Sequence, residues 1–279
     1  MRCFFVSDLH GEASKYAALF RVATAERPDA VLLGGDLLRH GHGAGAEAFL
    51  RDELIEPARR LAGSGTKLFV IMGNDDPRVH ERALLEADAG GVLSYVPERA
   101  VRLGDLYIAG YPYVPPSPFQ LKDWERYDVS RFVDPGCVSP EEGRRSVPAD
   151  PDAVRRETIR DDLERLAALS PPERTVYLFH VPPYRTKLDR AALDGVSYDH
   201  APLDVHIGSI AVREFIEKRS PFLTLHGHVH ESPRLAGAWR DIVGRTCAFS
   251  AAHDGPELAL VRFDTEKLDG ATRELHPTG

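Results

Sequence analysis

Apolar, β-branched runs recur along the chain, and each stops at a polar or glycine-rich cluster: residues 3–6, 30–33, 67–72, 106–109, 175–179 and 222–225. Runs this short, bounded in this way, predict buried strands. Between them the apolar positions move to helical spacing, over residues 13–25, over 46–61 through Phe49, Leu50, Leu54, Ile55, Ala58 and Leu61, and over 210–218. A further helix is predicted over 151–169, capped by Asp150, with Val154, Ile159, Leu163 and Leu166 along one face. Strands alternating with helices predict an α/β fold. Near the end, 246–250 and 258–263 read as two strands with no helix between them, so the sheet should acquire antiparallel strands there. Residues 111–151 break the pattern with eight prolines, Trp124 and several other aromatic residues, which predicts an ordered, aromatic-pinned insertion within one domain spanning 1–279. Its expected role is a partial cap, with Tyr111, Tyr113, Phe119, Trp124 and Tyr127 as flat walls beside a substrate pocket.

Composition narrows this picture. The 279 residues are 43% hydrophobic and 28% charged, enough apolar material for a core and not the balance of a disordered chain. No run approaches the roughly 18 apolar residues of a membrane span, and the first strand leads straight into charge, so neither a signal peptide nor an anchor is expected. Three cysteines without a C-x-x-C spacing exclude a disulfide framework and a zinc ribbon as readings, and point to reduced thiols and a cytoplasmic location. The net charge of −8 argues against a long groove that tracks nucleic-acid phosphates.

The informative feature is where the acids and histidines fall. Five strand-like runs end in a metal-ligand type: Asp8-Leu9-His10, Gly35-Asp36, Gly73-Asn74-Asp75-Asp76, His180, and Gly227-His228-Val229-His230. Ligands in open α/β sheets bind beyond the carboxyl ends of strands, so these clusters should converge on one edge. Asp-x-His and His-x-His each place two ligands on the same side of an extended segment. Two carboxylates, one amide and four imidazoles suit Mn, Fe, Zn, Co or Ni rather than a thiolate-selective metal.

In this order and spacing the clusters resemble the signature of the calcineurin-like metallophosphoesterase superfamily: Asp-x-His, Gly-Asp, Gly-Asn-His, a lone His and Gly-His-x-His. The resemblance spans Asp8 to His230. It implies a four-layer α/β/β/α sandwich of two mixed β-sheets flanked by helices, with two divalent metal ions at its edge. Carried over residue by residue, Asp8, His10 and His230 match the ligands of one ion, Asn74, His180 and His228 those of the other, and Asp36 the carboxylate that bridges them. A bridging hydroxide would be the nucleophile, and two dications outweigh two aspartates and one hydroxide, so a phosphate ester is the expected substrate.

The chain departs from the signature at Asp75, where relatives carry a histidine that protonates the leaving group or steadies the phosphate. An aspartate beside cations stays ionised and donates no proton. This shifts the expectation from a monoesterase to a phosphodiesterase that favours good leaving groups, with Asp76, His206, Tyr111 or Tyr113 as substitute donors. A phosphomonoesterase or nucleotide phosphatase, and a non-catalytic protein-binding scaffold of the same fold, are the alternatives; a scaffold needs none of the seven ligands.

Other polar residues have plainer readings. His80, His200 and His276 are read as ordinary surface or hydrogen-bonded histidines, and His40 and His42 as part of a loop running outward. Ser209 in His206-Ile207-Gly208-Ser209 is read as a helix cap. His253 suits either a hairpin turn or the metal edge, and Arg185 and Lys187 a solvated basic loop.

Overall fold

The computed structural model describes residues 1–39, 43 and 45–278. In chain order its elements begin with β1 (Arg2–Val6), α1 (Ala13–Glu26), β2 (Ala30–Gly34), α2 (Ala46–Phe49), α3 (Glu56–Ala62), β3 (Lys67–Ile71), α4 (Glu81–Ala89) and β4 (Ser94–Tyr95). They continue through β5 (Ala100–Leu103), β6 (Leu106–Tyr111), α5 (Pro151–Arg156), α6 (Ile159–Ala167), β7 (Thr175–Phe179), β8 (Ser197–Tyr198) and β9 (Ala201–Pro202). The last are α7 (Ile210–Arg219), β10 (Leu223–His226), α8 (Ser232–Ala236), β11 (Arg240–Val243), β12 (Thr246–Ser250), β13 (Leu258–Asp264) and β14 (Lys267–His276).

Two six-stranded mixed sheets result, ordered β14-β13-β1-β2-β3-β4 and β11-β12-β10-β7-β6-β5. Strand alternation builds the layers. Along β1, Cys3 and Phe5 join Leu32, Phe69, Ile71, Val176, Leu178 and Leu225 in a cluster drawn from both sheets, while Phe4 and Val6 join one that includes Leu19, Leu54 and Leu61 from the helices. The same alternation on the other sheet turns Tyr177 and Phe179 toward Phe215 of α7. This is the expected α/β/β/α sandwich. Strands β1, β2 and β3 are parallel neighbours, as are β6, β7, β10 and β12, so their carboxyl ends share one edge.

Several local expectations are corrected. The helix expected over 151–169 is two, because Thr158 adopts an extended backbone and caps α6 by accepting from Asp161 N, while Ile159 N donates to Tyr127 O. Asp150 caps the first of them as expected. The runs over 246–250 and 258–263 do bring in antiparallel strands as expected, but in different sheets and not paired with each other: β12 runs antiparallel to β11, and β13 antiparallel to both β1 and β14. The helical run from Ala46 passes through a π-helical turn, Leu50–Ile55, before α3.

Residues 112–150 contain no helix or strand, only isolated bridges. Their order comes from buried polar contacts and from Tyr113, Val114 and Trp124, which join the helix-side core cluster. Lys122 and Glu125 are wholly buried and paired at 2.5 Å, and Glu125 also accepts from Ser117 N and Oγ. Burial pushes the Glu125 carboxyl up to about 7 despite Lys122. Tyr111, Tyr113, Trp124 and Tyr127 are buried as well, and of the five expected wall residues only Phe119 is exposed. These rings hold the segment together, and of them only Tyr113 also borders a cavity.

Candidate metal centre

Each sharp turn that ends a strand here delivers a ligand-type side chain. Asp8, His10, Asp36 and His228 all adopt left-handed backbone, at φ of 57°, 46°, 51° and 71°. Asp and His enter this region more readily than most residues, yet it is strained for any side chain and concentrates at functional sites. Close packing fixes the turns in place. A Cβ on Gly227 would lie 2.7 Å from Asp8 Oδ2 and overlap the Ser7 hydroxyl, and one on Gly73 would lie 2.5 Å from Asp36 N.

Two donor sets converge at this edge, Asp8 with His10, Asp36 and His230, and Asp36 with His180 and His228; within each set the donor atoms lie within 4.8 Å of one another. Asn74 joins the second set, its Oδ1 3.1 Å from His180 Nε2. All seven expected ligands are thus brought together. Asp36 belongs to both sets: its Oδ2 lies 3.3 Å from His180 Nε2 and 3.8 Å from His10 Nε2, while its Oδ1 accepts from Asp75 N. His180 Nδ1 donates to Gly34 O at 2.7 Å, which leaves Nε2 as the atom turned inward.

The donors fit cations. Asp8 Oδ2 is buried without a hydrogen-bond partner, an arrangement that is costly for an anionic oxygen unless a cation compensates it. His10 Nε2 and His230 Nε2 face each other at 2.9 Å, where only one proton fits between two lone pairs. Without an ion, the acids and imidazoles must neutralise one another. Burial would raise the Asp8 pKa, but His230 and His180 outweigh it and hold it at about 2. Burial would lower His180 and His230, yet Asp36 carries His180 up to about 10 and Asp8 carries His230 up to about 9. Burial and the nearby charge of His180 push His228 down to about 3, so it stands as a neutral donor.

The other expected site residues divide. Asp75 is at the site, its Oδ2 3.6 Å from His10 Nδ1. Asp76 is not a proton donor to substrate: it is wholly buried and accepts from Leu37 N, Leu38 N and Gly73 N, tying the loop after β2 to the loop after β3. Tyr111 donates to Asp162 and Tyr113 is buried beside Arg78 and Arg126, so neither serves a leaving group. His206 lies in the loop between β7 and α7, with Nδ1 donating to Asp189 Oδ1 at 2.9 Å. Ser209 caps α7 as expected. His253 pairs with Glu257 at 3.0 Å, and His40 and His42 lie outside the described residues. Two residues escaped the sequence reading. His226, buried against Phe179, donates from Nδ1 to Val181 O and accepts from Thr224 Oγ1, which satisfies both nitrogens. Asp189 escaped too, because its partners are distant in sequence and no spacing marks it.

A cavity of about 440 Å³ opens on the side of residues 112–150, lined by Arg78, Tyr113, Arg126, Arg145 and neighbours; none of the seven ligand candidates lines it.

Two stacked mixed sheets thus carry, at their carboxyl edge, acid and imidazole clusters that could hold metal ions. The chain belongs to the calcineurin-like phosphoesterase family, whose model matches residues 1–232. Among solved structures it is similar to the TT1561 protein of Thermus thermophilus, at 15% identity over 100% of this chain and 99% of that one, with a TM-score of 0.62. It is also similar to a dimetal phosphatase from Danio rerio, at 12% identity over 100% and 96%, with a TM-score of 0.56. These likenesses are of fold. None of the curated proteins compared with the chain matches it. Among the described residues no helix is long and apolar enough to cross a membrane.

Proposed function

We propose that the protein is a metal-dependent phosphodiesterase. Asp8, His10, Asp36 and His230 would hold one divalent transition-metal ion, and Asp36, Asn74, His180 and His228 a second. The observation that carries this reading is the single Asp36 oxygen facing both His10 Nε2 and His180 Nε2. Ions bound there supply Lewis-acid activation of the phosphoryl group and of water.

The chain's own residues supply the orientation. His228 N donates to Asp8 Oδ1, and Asp75 N to Asp36 Oδ1, so each carboxylate is aimed by the backbone of a neighbouring turn. The Gly34 carbonyl fixes the His180 ring, and the Asn74 amide nitrogen, 3.4 Å from Asp75 Oδ1, leaves Asn74 Oδ1 toward His180. Asp75 also supports the choice of substrate. A carboxylate at this edge repels a dianionic monoester more than a monoanionic diester.

The test is metal content together with hydrolysis of an aryl phosphodiester and an aryl phosphomonoester by one metal-reconstituted sample. About two ions per chain and a faster diester are expected. Faster monoester turnover would overturn the diester preference, and bound ions with no hydrolysis of either ester would overturn the enzymatic reading.

A further inference from the structure

The loop from His180 to Ser209 leaves the carboxyl end of β7 and returns to it. Ser209 N donates to Pro182 O and Tyr184 N to Ser209 O, so both stems are pinned within a few residues of His180. On its other side the loop is tied to the residues that follow His230. Arg190 N donates to Ser232 Oγ, that hydroxyl donates to Lys187 O, and Ala192 N donates to Glu231 Oε1. The loop therefore bridges two ligand-bearing segments on the metal edge.

At its centre lies Asp189, wholly buried. Its carboxylate accepts from Arg185 N and Thr186 N at 2.8 Å each and from Gly208 N at 3.3 Å, and it receives His206 Nδ1–H at 2.9 Å. Arg190 and His206 are bridged antiparallel, so His206 sits beside the residue that reaches Ser232. Its side chain is 27% exposed. A buried carboxylate on one imidazole nitrogen orients the ring and makes the other nitrogen the one that exchanges a proton.

We propose that His206, positioned by Asp189, is the proton donor to the leaving oxygen, the role that Asp75 does not fill. The proposal rests on the phosphodiesterase reading. In the step His206 acts as the imidazolium, with Nδ1–H on Asp189. An oxygen from water bonds to phosphorus as that water gives one proton to solvent, the bond from phosphorus to the leaving oxygen breaks, and that oxygen takes the Nε2 proton, leaving the neutral Nδ1–H ring. The products are a phosphomonoester and a neutral alcohol, and the ring regains its proton from solvent at its exposed edge.

The test uses the metal-reconstituted full chain, wild type, His206→Gln and Asp189→Asn, with diesters graded from nitrophenyl to alkyl leaving groups. Wild type should depend weakly on leaving-group acidity. His206→Gln should lose about 10²–10⁴-fold on alkyl diesters and only a few-fold on nitrophenyl diesters, at unchanged metal content, with the alkyl rate partly restored by added imidazole. Asp189→Asn should show the same split to a lesser degree. Long-range proton–nitrogen NMR of the metal-free chain should find the His206 proton on Nδ1 in wild type and a mixed tautomer in Asp189→Asn. An alkyl rate unchanged in His206→Gln, an equal loss on all esters, or a wild-type tautomer protonated only at Nε2 would overturn the proposal while the phosphodiesterase reading stands. A metal-loaded wild type inert to every diester would overturn both.

Discussion

Asp75 places a carboxylate oxygen 3.6 Å from Nδ1 of His10, while Nε2 of the same ring turns inward to His230 and Asp36. Asp75 thus stands behind a candidate ligand. Carboxylates in that position set the orientation and basicity of a metal-bound imidazole, and removing them typically costs about 10–100-fold in metal affinity. Asp75→Asn should weaken the binding event that uses His10 by about that factor and the other, reached through the 3.4 Å contact with the Asn74 amide, by less. Calorimetric metal titration resolves the two, and equal weakening of both would contradict this assignment.

Asp36→Asn should act differently, because both donor sets use its carboxylate. Both binding events should weaken and diester hydrolysis should fall by about 100-fold or more. Elemental analysis should find fewer than about two ions per chain. A circular-dichroism melt must accompany it, since the altered residue also receives the Asp75 N–H.

Metal binding should release protons. In the metal-free chain His180 and His230 hold theirs to about 10 and about 9, and coordination requires both rings neutral at the donor nitrogen. Apparent affinity should therefore rise with pH until it levels off through about 9 and 10, and calorimetry near neutral pH in buffers of different ionisation enthalpy should count up to about two protons released. The same shifts bear on stability. Both pKa values are raised on folding, so the stabilisation is complete below the unfolded value near 6.5 and is lost as pH climbs through 9 and 10. The metal-free melting temperature should fall across that window, and the metal-loaded protein should show a smaller fall.

Much of this was legible because ligand-type residues end apolar runs: Asp8, Asp36, Asn74, His180 and His228 each follow a strand, and sheet geometry then dictates where they meet. The edge strands were less legible. β14 alternates exposed polar residues with few apolar ones, so its sequence carries little of the signal that marks β2 or β7. The break at Thr158 was missed because the apolar face continues across it, from Val154 to Ile159, and only the contact with Tyr127 shows the interruption. Aromatic residues of the 112–150 segment announced order but not direction. Whether a ring faces a pocket or a core depends on partners such as Asp162 and Arg126, which lie far away or carry no periodicity.

The Lys122–Glu125 pair gives that segment a specific vulnerability. Removing one partner of a buried ion pair leaves an uncompensated charge and costs about 3–5 kcal/mol. Lys122→Met should lower global stability by that order in urea unfolding. Its metal affinity measured under native conditions should stay within a few-fold of wild type, because none of the seven candidate ligands lies in the segment. A double variant, Lys122→Met with Glu125→Leu, should recover part of the loss.

The left-handed backbone at Asp8, His10, Asp36 and His228 also restricts how this site can evolve. Four positions exclude β-branched residues on conformational grounds alone, before any metal is considered. A saturation library scored only for folded protein should already be depleted of Val, Ile and Thr at these four codons, with Asn and Gly the replacements that survive. New chemistry on this scaffold is therefore more accessible through the loops around the edge than through exchange of the ligands themselves.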